Sequence, residues 1–104
     1  MLLCTTDKIE GKEIKETLGL VKGTIVQSKH IGRDFMAGMK TIVGGEIKGY
    51  TEMLNEARTE ATNRMVKEAE SLGADAVVGL RFGTAAAAGG AAEIFAYGTA
   101  VKLK

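Results

Sequence analysis

The chain has 104 residues, with 14 Lys and Arg against 13 Asp and Glu and a formal net charge of +1. That length allows a single domain, residues 1–104. The charge balance excludes a protein that tracks nucleic-acid phosphates, which needs a clear excess of Lys and Arg. The one Cys excludes an intrachain disulfide framework and a Cys-rich zinc site, and no apolar run approaches the roughly 18–20 residues of a membrane-spanning helix.

Residues 1–6 read as a short strand, and no basic stretch or long apolar segment marks them as a secretory signal. The start therefore predicts a cytoplasmic protein, in keeping with a free thiol in a reducing compartment. From Glu13 to Lys29, β-branched residues punctuated by Gly19 and Gly23 predict a bent or bulged strand. Asp34 suits a helix N-cap, and Phe35, Met36, Met39, Ile42 and Val43 follow at helical spacing up to Gly44-Gly45. This predicts a first, shorter helix.

The second helix has the strongest pattern, from about Thr51 to Leu72 with Gly73 as its stop. Leu54, Ala57, Ala61, Met65, Ala69 and Leu72 make one stripe, whose alanines let the axis lie close to whatever it covers. Two strands finish the chain. Ala76–Phe82 sets Ala76, Val78, Leu80 and Phe82 on one face; Glu93–Leu103 sets Phe95, Tyr97, Thr99, Val101 and Leu103 on one face and Ile94, Ala96, Gly98 and Ala100 on the other. The small face matches the alanine stripe, so the bulky face must meet something else. Between the strands, the Ala/Gly stretch 84–92 holds Gly89-Gly90 as a hairpin turn or flexible tip. The order predicts an α+β fold, an antiparallel sheet with one long and one shorter helix packed on it.

Taken together, Gly11-Lys12-Glu13-Ile14, Ser28-x-x-Ile31-Gly32-Arg33-Asp34 and Ile42-Val43-Gly44-Gly45-Glu46-Ile47-x-Gly49-Tyr50-Thr51-Glu52-Met53-Leu54 resemble the YbjQ-like family of small bacterial and archaeal proteins. The likeness continues through Glu56-Ala57-Arg58, Gly73-Ala74-Asp75-Ala76-Val77-Val78-Gly79 and Ala96-Tyr97-Gly98-Thr99-Ala100-Val101, and so covers nearly the whole chain. The resemblance implies a dodecin-like α+β subunit, a ring-shaped homopentamer and heavy-metal binding. It brings no established reaction or catalytic residue. In this chain the segment 83–92 is Ala/Gly-rich where the family often carries Ser, Thr or Asp.

For a metal, Cys4 and His30 are the soft donors, with Asp34, Met36 and Met39 as weaker additions. Two donors fall short of the three or four that a transition metal wants, so copies of Cys4 from several subunits would have to contribute. For an enzyme, Arg33, Asp34, Glu46, Tyr50, Glu93 and Tyr97 are the polar candidates, but no nucleophile–base pair stands out among them. The expectation is a non-enzymatic protein that binds a metal ion or small ligand. Two alternatives are an enzyme with its site between subunits, built on Arg33, Glu46 and Tyr50, and a dodecin-like pocket for a flat cofactor. The expected partner is the chain itself, with no nucleic acid and no membrane. Phe95, Tyr97 and Val101, or the apolar first helix, are expected to be covered by a neighbouring copy.

Overall fold

The computed structural model describes residues 1–27, 42–43, 46–86 and 91–104. In chain order the elements are β1 (Leu2–Leu3), β2 (Ile14–Gln27), β3 (Ile42–Val43), β4 (Glu46–Ile47), α1 (Lys48–Ser71), β5 (Ala76–Ala86) and β6 (Ala92–Leu103). Four strands form one sheet in the order β1-β5-β6-β2, and β3 and β4 form a separate two-stranded ribbon. The fold is α+β, as expected, but the sheet is mixed. β2 and β5 each run antiparallel to β6, whereas β1 runs parallel to β5. The thinnest extent of the chain is 17 Å, the depth of one sheet and one helix.

The first expected helix lies mostly outside the described residues, and its last two positions are not helical. Ile42 pairs with Ile47 and Val43 with Glu46. Apolar β-branched residues flanking a Gly-Gly dipeptide suit a short hairpin better than a helix end.

α1 buries Met53, Ala57, Ala61, Met65 and Ala69. Leu72, expected on this stripe, is exposed at the helix end, and Leu54 is only half-buried. The stripe therefore advances by four residues at each step, a drift of about 40° around the helix axis. Such a line can stay on the surface of a twisted sheet. At Gly23 the helix lies directly on β2: a Cβ there would collide with the Ala61 carbonyl oxygen and approach the Met65 nitrogen to 2.5 Å. Arg64 fixes the crossing by donating from Nη1 to the Thr24 carbonyl at 2.7 Å, while its Nε pairs with Glu60 at 3.2 Å. The helix ends in a Schellman turn. Gly73 N–H reaches the Glu70 carbonyl and Ala74 N–H the Ala69 carbonyl, with Gly73 at φ +77°.

Under the helix lie Val21, Val77, Leu80, Ala96 and Ala100. Val77 and Leu80 share this face because the register slips between Val78 and Arg81. Gly79, at φ +62°, and Leu80 together occupy a β-bulge. Strict alternation places Leu80 with Ala76 and Val78; the bulge instead turns Leu80 under the helix and brings Phe82 to the same side.

Candidate functional site

The second face of the sheet is divided in two. At one end the N-terminal segment folds over it. Cys4 N–H donates to Val77, and Thr6 and Cys4 accept from Gly79 and Leu80, so this segment tracks β5 up to the bulge. Cys4, Ile9, Ile14 and Leu103 pack against Ala76, Val78 and Val101 there. Arg81 marks the border, donating from Nη1 to the Thr5 and Leu80 carbonyls at 2.8 Å each.

Beyond Arg81 no element of the described residues covers the face. Alternation along β2 presents Leu20, Lys22, Thr24 and Val26, opposite Thr99, Tyr97, Phe95 and Glu93 of β6. Leu20 is 66% exposed, Val26 58% and Tyr97 39%. Leu20, Lys22, Thr24, Glu93, Phe95 and Tyr97 enclose a shallow hollow of about 400 Å³. The Phe95 and Tyr97 rings stand 6.0 Å apart and tilted by 36°, within the range of a favourable aromatic pair. Phe95 lies across Gly83 of β5, on ground that a Cβ at that position would occupy. The hollow has apolar walls, two hydroxyls, and one charge of each sign. That composition suits binding.

The expected site residues separate accordingly. Glu93, Phe95 and Tyr97 meet in the open hollow. Val101 does not join them: it is 1% exposed and covered by its own chain, because the N-terminal segment closes that end of the face. Cys4 is half-buried in the same closed half, its thiol directed at the Thr6 carbonyl at 3.6 Å. Glu46 falls in β4 and Tyr50 in the first turn of α1. His30, Arg33, Asp34, Met36 and Met39 lie outside the described residues. Among the described residues, no three His, Cys, Asp or Glu side chains group as metal ligands. Nor, among the described residues, is any helix long and apolar enough to cross a membrane.

Leu20, Lys22 and Thr24 join the hollow without being among the residues the sequence points to. Their signal was the alternation of Leu20, Lys22, Thr24 and Val26 with Val21, Gly23 and Ile25, of which the second set includes the close helix contact.

The described elements form a small two-layer α+β fold, with one face of the sheet under α1 and the other covered in part by the N-terminal segment. The chain belongs to the YbjQ family, described as "Putative heavy-metal-binding", whose model matches residues 1–104. A UPF0145 protein of Photobacterium profundum is 67% identical over 103 residues, covering 99% of this chain and all of that one. UPF0145 proteins of Clostridium novyi and Thermotoga maritima are 62% and 60% identical, each matched over at least 98% of both chains. A solved structure from Pediococcus pentosaceus, described as a DUF74-family protein of unknown function, superposes with a TM-score of 0.64. At 21% identity, over 100% of this chain and 98% of that one, it shows the shared fold.

Proposed function

We propose that the chain is the subunit of a cytoplasmic, non-enzymatic homo-oligomer that binds a heavy-metal ion or a small ligand at positions shared between copies. The observation that carries this reading is the open half of the sheet. Leu20, Val26, Phe95 and Tyr97 stand together there with no element of the described chain over them. Water against such a surface is costly, and an identical copy is always available to cover it. The resemblance to the YbjQ-like family supports a ring of five. A closed ring joins two different patches of the subunit.

The metal form of the reading is supported by the family description. In it, thiols come from several copies, each contributing Cys4, because one chain supplies a single soft thiol. Native mass spectrometry of the purified protein tests the whole proposal, since copy number and bound ligand appear in one mass. Elemental analysis of wild type and Cys4→Ala tests the metal. The expected result is a multi-copy particle, with zinc, copper or cadmium retained by wild type and lost on Cys4→Ala. A single-copy species at tens of micromolar overturns the assembly, and equal, weak metal uptake by both proteins overturns the thiol site.

A further inference from the structure

We propose that the copies join head to tail, with Phe82 and Arg58 of one copy docking into the hollow formed by Leu20, Phe95 and Tyr97 of the next. This inference rests on the proposed self-association and names its two halves.

The first half lies on the helix side. The bulge at Gly79 and Leu80 carries Phe82 to the edge of α1, where it remains 50% exposed. Around it stand Asn55, Arg58, Thr59, Thr62 and Asn63. The guanidinium of Arg58 is held on the surface by Nη2–H donating to the Asn55 side-chain oxygen. Among the described residues, no carboxylate lines this patch, although α1 also carries Glu52, Glu56, Glu60, Glu68 and Glu70. The patch is thus an exposed aromatic ring beside one cation.

The second half is the hollow on the opposite side of the sheet. Its apolar walls and volume of about 400 Å³ accept an aromatic side chain, and Glu93 is its one carboxylate among the described residues. Charge complementarity then orients the docking. Glu93 is opposite Val26, whereas Lys22 is opposite Tyr97, four residues along β2 and so about 13 Å away. A cation entering with the ring meets attraction at the Glu93 end and repulsion at the Lys22 end, so one direction is selected. The two patches lie on opposite layers of a thin subunit. Their contact therefore leaves each copy with one patch still free, and the interaction repeats until the last copy meets the first.

The test compares subunit dissociation by light scattering and dilution for wild type, Phe82→Ala, Arg58→Glu, Glu93→Arg and the double variant R58E/E93R. Circular dichroism monitors folding throughout. Phe82→Ala is expected to weaken association about 30-fold, as for an interface hot spot. Each charge reversal is expected to weaken it, and the double variant to return to within about threefold of wild type, since the pair is reversed intact. An independent arm uses Cys4→Ala protein carrying either Thr59→Cys, beside Phe82, or Thr24→Cys, in the hollow, so that Phe82 and Tyr97 stay in place. Oxidising the mixture is expected to give a disulfide-linked pair of unlike subunits that neither protein yields alone. If wild type is multi-copy but Phe82→Ala is unchanged, the double variant shows no rescue, or the mixture fails to cross-link, the head-to-tail docking is overturned while self-association stands. A single-copy wild type overturns both.

Discussion

Gly23→Ala adds one methyl group at the place where α1 rests on β2. The new Cβ would meet the Ala61 carbonyl oxygen, the Met65 nitrogen at 2.5 Å and the Arg64 Cβ at 2.9 Å. The first two are backbone atoms of a helix and cannot rotate away, so the whole helix must lift or slide. Lifting it thins the packing over Val21, Ala61, Met65 and Ala69, all of which have zero exposure. Overpacking costs about 1–3 kcal/mol where side chains can adjust, and this site belongs at the upper end. Unfolding entropy for 104 residues is about 0.22 kcal/mol/K, so 3 kcal/mol lowers the melting temperature by about 14 °C. The assay is thermal unfolding at matched subunit concentration, because assembly makes melting concentration-dependent. Gly11→Ala serves as the control. At φ +79° with nothing within 4 Å of the added atom, it carries only a backbone penalty of about 1 kcal/mol, near 5 °C. A Gly23→Ala protein melting within a few degrees of wild type would refute the argument that backbone contact with the helix fixes this position.

Val101→Asp is expected to prevent folding of the chain itself, at a cost above about 3 kcal/mol, because a carboxylate at a 1% exposed site among Cys4, Ile9 and Val78 has no partner; a native circular-dichroism spectrum would contradict the covered-end geometry. Arg64→Ala should cost about 1 kcal/mol in urea unfolding through loss of the 2.7 Å bond to Thr24. Glu60→Ala removes only an exposed i,i+4 pair and should cost a few tenths of a kcal/mol. Equal effects of these two substitutions would mean that the bond to β2 adds nothing. Gly73→Ala forces a β-carbon into the φ +77° position of the helix stop and should cost about 1 kcal/mol; unchanged stability would show that the turn can re-form without the left-handed residue.

Much of the frame can be read directly from the residues. The long helix, the strand after Gly11 and the last two strands follow from apolar spacing and from Gly at their ends, and the alanine stripe forecasts the close helix–sheet approach seen where Ala61 lies on Gly23. The aromatic pair of the candidate site, Phe95 and Tyr97, is also visible in the alternation of the last strand.

Other features depend on partners distant in the chain. The parallel pairing of Leu2 and Leu3 with Ala76 and Val77 spans more than seventy residues and leaves no local periodicity. Alternation is a local property, whereas its phase is set by register with another strand. The bulge at Gly79 and Leu80 therefore moved Leu80 and Phe82 to the helix side against the simple pattern. Val101 shares its parity with Phe95 and Tyr97, yet only the folded N-terminal segment decides that it is covered while they are left to water. Sequence set the elements and the apolar faces they carry, because propensity and spacing act within a few residues. Tertiary structure decided which part of a face stays open, because coverage depends on where the rest of the chain is laid.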